Sequence, residues 1–344
     1  MVKKLSGRRL HRTREAAALK TILWTGPDVS GPCQKGPILS NVLITPRSLT
    51  KEGHHALDLL KDSGHRLIFA APGKQPSEEE LCRLLPGCAG YLAGVEMISS
   101  KSLESARNLR VISRNGSGVD NIDLEAAKKL GIEVLKAEGA NANGVAELTL
   151  GLIFSLTRSV AFHDQKMKEK VWERIKGIEL VGRTLGLLGC GRIGKLVAGR
   201  ALGLGMSVMA FDLCPDRSFC PSDEFSWGSF EEVLEKADVI SLHVPASPGE
   251  KPVITEQVIS KMKRGVYIIN TSRAGLIDEH AVITALDNNR VSGFATDVYD
   301  REPPDVLSLV MHDRVVATPH IGGYTAESVE RATKIAVKNL LKCL

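Results

Sequence analysis

A short apolar run from Thr184 to Leu188 leads into Gly189-Cys190-Gly191-Arg192-Ile193-Gly194, and no other stretch constrains the chain as much. A helical pattern follows to about Leu204, and a second apolar run, Ser207 to Phe211, ends in Asp212. Strand, glycine turn, helix, and a strand closing on an acid form the βαβ unit that binds dinucleotides. Gly189 permits the tight turn, Gly191 lets the backbone approach a pyrophosphate, and Gly194 lets the helix pack closely on the strand. The helix start then offers unpaired N–H groups and a partial positive charge to phosphates. A carboxylate at Asp212 suits the ribose hydroxyls and repels a 2′-phosphate, which favours NAD over NADP. Cys190, inside the turn, reads as a small filler.

The 344 residues suggest about two domains, and 43% hydrophobic with 25% charged residues is an ordinary globular composition. The formal charge of +5 belongs to the first twenty residues, where Lys3, Lys4, Arg8, Arg9, Arg12, Arg14 and Lys20 face one acid, Glu15. The rest is near neutral, so no nucleic-acid partner is expected. Residues 1–38 read as a basic, disordered leader; they are Arg-rich like a transit peptide but hold almost no Ser. No apolar run is long enough to span a bilayer, and no membrane partner is expected. Seven scattered cysteines without a C-x-x-C pair suggest a reducing cytoplasm and no metal site.

From Asn41 onward, short apolar strands alternate with helical patterns. Strands are expected at Asn41–Thr45, Arg66–Phe69, Tyr91–Gly94, Val111–Ser113 and Glu133–Leu135. One helix is expected over Thr50–Lys61 with Thr50 as its cap, and another after Ser77, spaced from Glu80 as a capping box. After a break at residues 136–141, Val145–Leu156 reads as a buried helix. Beyond Phe211, four more strands near Val239–His243, Val266–Asn270, Gly293–Val298 and Val315–Thr318 complete a count of six. A last helix, Ala326–Leu341, returns to the first unit. The expectation is an α/β protein with two doubly wound parallel sheets, the second a Rossmann unit inserted in the first. The domains expected are 39–140 plus 322–344 for substrate, flavodoxin-like, and 141–321 for NAD.

Three stretches place polar groups at strand ends, the ligand side of a parallel sheet. They are Asn270-Thr271-Ser272-Arg273-Ala274-Gly275, Asp297-Val298-Tyr299-Asp300-Arg301-Glu302-Pro303-Pro304 and Thr318-Pro319-His320-Ile321-Gly322-Gly323. A guanidinium among small residues suits a carboxylate. His320 can exchange a proton near neutrality, and a carboxylate beside it would fix its tautomer. Taken singly, Arg273 also reads as a surface cation, Glu302 as a turn acid and His320 as a turn histidine.

These stretches and the glycine turn, in this order and spacing, resemble the D-isomer-specific 2-hydroxyacid dehydrogenases. So do Gly116-Ser117-Gly118-Val119-Asp120-Asn121-Ile122-Asp123 and Asn141-Ala142-Asn143-Gly144-Val145-Ala146-Glu147-Leu148. The resemblance covers about residues 41–344. It implies that His320 is the acid–base, Glu302 its orienting partner, and Arg273 the group that binds the substrate carboxylate and polarises its carbonyl. It places Gly189, Gly191, Arg192, Ile193, Gly194, Asp212, Thr271 and Asp297 on the cofactor, with Asp297 at the nicotinamide carboxamide. It places Gly94, Val95, Ser117, Gly118 and Asn141 on the substrate with Arg273. It implies a homodimer formed through the helix from Val145, and an oxidation in which His320 takes the hydroxyl proton while hydride passes to NAD.

Within the family the phosphoglycerate dehydrogenase-like subgroup looks nearest, on Arg114-Asn115-Gly116-Ser117-Gly118-Val119-Asp120-Asn121-Ile122-Asp123. Phosphoglycerate enzymes often carry an Arg-Ser pair where this chain has Ala93-Gly94-Val95-Glu96, and Gly144 replaces a commoner Ser. With the chain ending at Leu344, no C-terminal regulatory domain and no serine feedback are expected. A glyoxylate or hydroxypyruvate reductase is the alternative enzyme, and an NAD-sensing corepressor-like protein the alternative of another class. Glu302 argues against a formate dehydrogenase, which carries Gln there.

Overall fold

The computed structural model describes residues 40–246, 249, 251–304 and 309–344. The basic leader and Cys33 lie outside the described residues. The first sheet has five parallel strands, β1 (Asn41–Ile44), β2 (Arg66–Phe69), β3 (Cys88–Ala93), β4 (Val111–Arg114) and β5 (Glu133–Lys136), in the order β2-β1-β3-β4-β5. The second has seven, β6 (Thr184–Leu188), β7 (Ser207–Phe211), β8 (Phe225–Trp227), β9 (Val239–Leu242), β10 (Val266–Asn270), β11 (Val291–Thr296) and β12 (Val315–Ala317). Their order is β12-β11-β10-β9-β6-β7-β8, all parallel, with β6 and β9 adjacent where the winding reverses. Helices cover both faces, which is why central strands such as β9 are buried at every residue.

The second sheet thus holds one strand more than the six expected. β8 is three residues long and too short for a periodic signal. It is held on the sheet edge by edge-to-face contacts of Phe225 with Phe219 and Trp227 and by the Trp227 indole N–H on the Phe219 carbonyl, 3.2 Å.

The expected helix Thr50–Lys61 is broken into Arg47–Glu52, a 3-10 turn His55–Leu57, and Asp58–Asp62. Gly53 sits between them in the left-handed region, φ 73°, and ends the first helix. Thr50 is therefore inside a helix and caps nothing. Its hydroxyl donates to the Arg47 carbonyl and accepts from Gly73 N. Ser77, by contrast, does accept from Glu80 N and starts Glu78–Leu84.

The chain leaves the first sheet after β5 and enters the second through the helix Ala142–Thr157, whose Ala146, Leu152, Ile153 and Leu156 join the second core. It returns with the helix Ala326–Cys343, whose Ala336, Val337 and Leu340 pack against Val42, Ile44, Leu92 and Val111 of the first sheet. Glu330 of that last helix holds His54 Nε2 at 2.7 Å. Because His54 Nδ1 accepts from Ala56 N, the ring proton belongs on Nε2, which makes this contact a donor bond. No single helix among the described residues is long and apolar enough to cross a membrane.

Candidate functional site

The glycine turn lies where the reversal of strand order opens a crevice at the carboxyl ends of β6 and β9. Gly189 has φ 96°, and a Cβ there would stand 2.5 Å from the His243 carbonyl oxygen. Gly194 is buried, and a Cβ there would strike the Gly189 carbonyl. Gly191 differs from both. It is exposed, lies at φ −73°, and has nothing within 4 Å of where a Cβ would be. Space is thus left above the start of the helix Arg192–Gly203, whose first N–H groups have no partner within the helix. Open space over Gly191 and free donors from Arg192, Ile193 and Gly194 fit a pyrophosphate.

Asp212 ends β7 and reaches back to the turn: its Oδ2 accepts from Cys190 N at 2.8 Å and its Oδ1 from Cys214 N at 2.9 Å. One further acceptor site on each oxygen stays open for hydroxyls. A cavity of about 460 Å³ opens beside it, walled by Phe211, Pro215 and Trp227. Cys190 faces the core, and burial pushes its thiol up to about 11, so it packs rather than reacts. The Arg192 guanidinium lies over Gly139, which has φ 70° and no side chain to obstruct it.

Arg273 follows β10 and crosses to the first sheet's loops. Its Nε donates to Asp120 Oδ2 at 2.8 Å, with Nη2 2.6 Å from the same oxygen, and its Nη1 donates to the Ser272 carbonyl. The guanidinium rests on Gly118, where a Cβ would lie 2.6 Å from Nη2. Beside it the Ser117 hydroxyl donates to Asn141 Oδ1 at 2.8 Å, and Asn141 in turn packs against Gly323 of the histidine turn. Thr271 is buried, its hydroxyl 3.0 Å from that of Thr149.

The Gly94 N–H is engaged inward, by Thr45 Oγ1 at 3.1 Å and Glu96 Oε1 at 2.9 Å. Glu96 is buried and also accepts from the Tyr91 hydroxyl at 2.6 Å and from the Thr45 hydroxyl. Burial, then the charge of Glu96, pushes the Tyr91 phenol well up, so it stays a donor. This network points inward and leaves Val95 exposed at the tip of the loop.

His320 and Glu302 meet as expected, Nδ1 to Oε1 at 2.6 Å, both partly exposed. His320 has φ 53°, a left-handed backbone that is costly for a residue with a Cβ. Asp297 holds that turn. Buried at the end of β11, it accepts from Thr318 Oγ1 at 2.6 Å, Ile321 N at 2.8 Å and Gly322 N at 2.7 Å. Gly144 lets the helix Ala142–Thr157 approach the same turn, since a Cβ there would stand 2.7 Å from the Gly322 carbonyl.

The residues that sequence reasoning passed over are Asp120, Arg114 and the Thr45–Tyr91–Glu96 network. Asp120 and Arg114 stood inside or beside a motif already noted. The network joins residues from two strands and a loop, so no local pattern reveals it.

Residues 150–322 match the model of the D-isomer specific 2-hydroxyacid dehydrogenase, NAD binding domain. The chain is 38% identical over 271 residues to the hydroxypyruvate reductase of Thermotoga maritima, covering 77% of this chain and 88% of that one. It is 36% identical over 284 residues to the D-3-phosphoglycerate dehydrogenase of Pongo abelii, covering 81% of this chain and 53% of that one, so it spans about half the length of that relative. The solved D-lactate dehydrogenase of Aquifex aeolicus, complexed with NAD and lactic acid, superposes with a TM-score of 0.74 at 30% identity, covering 88% and 94% of the two chains. On this fold and these likenesses, the chain belongs to the D-isomer-specific 2-hydroxyacid dehydrogenase family and is an NAD-dependent oxidoreductase of that class.

Proposed function

We propose that the protein interconverts a small D-2-hydroxy acid and its 2-keto acid, of the three-carbon kind handled by phosphoglycerate dehydrogenases and hydroxypyruvate reductases. The observation that carries this is the His320 Nδ1–Glu302 Oε1 contact at 2.6 Å on the turn that Asp297 anchors. Glu302 fixes the ring so that Nε2 is the atom that exchanges a proton with the substrate oxygen. Arg273 turns its fork to the substrate carboxylate, with the Val95 N–H and Ser117 as neighbours, and polarises the carbonyl. Asp120 holds that guanidinium in place. NAD, when bound, would supply hydride exchange at the substrate's second carbon. Arg192, Ile193 and Gly194 would hold its pyrophosphate and Asp212 its ribose. Thr271 and Asp297 border the nicotinamide end. Residues 39–140 plus 322–344 act as the substrate domain and 141–321 as the NAD domain.

The protein acts as a homodimer in the cytoplasm. Support for the dimer comes from the helix Val160–Lys168, which buries no residue of its own while Val160, Met167 and the nearby Trp172 are exposed at 53%, 57% and 80%. The preceding helix is buried in its own chain over most of its length, so the partner meets chiefly this second helix and the segment after it. For the compartment, the six described cysteines are all free.

The test is reduction of hydroxypyruvate with NADH, followed by chiral analysis. A D-configured hydroxy acid is expected; an L-configured product, or none from any 2-keto acid tried, overturns the reading.

A further inference from the structure

Glu302 stands on the segment that leaves β11, and His320 on the turn that leaves β12. The two side chains meet only if those segments are held at a set spacing. Asp297 ties the residues after His320, through Ile321 N and Gly322 N. Tyr299 ties the residue two before it. The Tyr299 hydroxyl donates to the Thr318 carbonyl at 2.8 Å, and the His320 N–H donates to the same carbonyl at 2.9 Å. Both lone pairs of that one oxygen are thus taken, one by the Glu302 segment and one by His320 itself. The Thr318 hydroxyl in turn donates to Asp297.

His320 is left-handed at φ 53°, and such a backbone persists only where its neighbours over-determine it. Tethers on both sides of the residue supply that. The helix Ala142–Thr157 meets the same turn through Gly144. The acids that face Tyr299 are Asp297 and Glu302. Burial, then these two charges, push its phenol up, so it stays protonated and donates. A phenylalanine would fill the same half-buried space, so the hydroxyl serves the Thr318 carbonyl rather than the packing.

We propose that Tyr299 is a positioning residue for the acid–base pair: its hydroxyl sets the spacing at which Glu302 Oε1 meets His320 Nδ1. It acts through that pair, not on substrate or cofactor. Its kinetic consequence rests on the function above; its effect on the imidazole does not. Without the hydroxyl the carboxylate bonds the imidazolium less well, and the imidazolium gives up its proton more readily. Reduction of a keto acid needs that proton, so the pH limb on which reduction fails moves to lower pH.

The experiment titrates wild type, Tyr299→Phe, Glu302→Gln and the double variant. Histidine-selective NMR of the folded protein reads the His320 pKa, with His320→Ala identifying the resonance. The pH profile of kcat/KM for hydroxypyruvate with NADH reads the consequence. Tyr299→Phe should lower the His320 pKa by roughly half a unit, and kcat/KM on the upper limb by the corresponding factor of about three, with NADH affinity unchanged. Glu302→Gln should lower the pKa further, and the double variant should match Glu302→Gln alone, because the hydroxyl acts through the carboxylate. A hydroxyl that only stabilises the fold would lower Tm and leave the pKa where it was. An unmoved His320 pKa in Tyr299→Phe, or a shift that repeats in full on the Glu302→Gln background, overturns the proposal. Should no 2-keto acid be reduced, the function above falls, and the NMR titration still decides the role of Tyr299.

Discussion

Gly322 donates its backbone N–H to Asp297 Oδ2 at 2.7 Å. With Ile321 N on the other oxygen, the two bonds fix the chain immediately after His320, whose own backbone is left-handed. A buried acid thereby holds the conformation that presents the imidazole. Asp297→Asn should break this, because its amide nitrogen must face a donor on one side or the other. Losing charged bonds from a buried site costs about 1.5–3 kcal/mol, and a chain of this size loses roughly 1–2 °C of Tm per kcal/mol. Calorimetry should show a drop of several degrees, with kcat down more than about tenfold as His320 loses its fixed pose. An unchanged Tm would mean that Asp297 does not hold the turn.

The glycine turn makes a paired prediction. Gly191 has empty space around it and an ordinary backbone, so Gly191→Val should fold and unfold near wild-type temperature yet lose most NADH affinity. Gly194 is pressed on the Gly189 carbonyl, so Gly194→Ala should lower stability by about 1–3 kcal/mol. Tryptophan-fluorescence titration with NADH and thermal melts read both. Full NADH affinity in Gly191→Val would place the pyrophosphate elsewhere.

Much of this was legible from the chain. The strand–turn–helix–strand unit from Thr184 to Phe211 has the expected strand bounds, because buried parallel strands are continuous apolar runs and glycines mark the turn. The helix near Thr50 was not legible, because its polar and apolar residues keep a helical period across a left-handed Gly53. β8 escaped for want of length. In the site, the Glu302–His320 pair could be anticipated from residue types at strand ends. The inward engagement of Gly94 N–H by Glu96 could not, since it is set by tertiary neighbours Thr45 and Tyr91.

His243, after β9 and beside the glycine turn, offers a pH test of folding. Its Nε2 lies 2.9 Å from Ser241 Oγ, while Nδ1 is sealed without a partner, and burial pulls its pKa down to about 4. The unfolded chain binds a proton near pH 6.5 and the folded one does not until about 4, so stability is full above pH 6.5 and falls as pH drops through that window. The loss is on the order of 2–3 kcal/mol by pH 4. Urea unfolding at several pH values should show it in wild type and show a shallower loss in His243→Gln. Parallel pH curves for the two would remove the effect from His243.

The most direct test of the site as a whole is kcat/KM of wild type and Arg273→Lys on the best 2-keto acid, with NADH affinity measured alongside. A lysine keeps the charge but cannot fork onto a carboxylate and polarise the neighbouring carbonyl, so the loss should appear in both KM and kcat. A fall of about 100-fold or more, with NADH binding and Tm preserved, is the expected result. A ratio near one would make Arg273 a surface cation and contradict its place on the substrate.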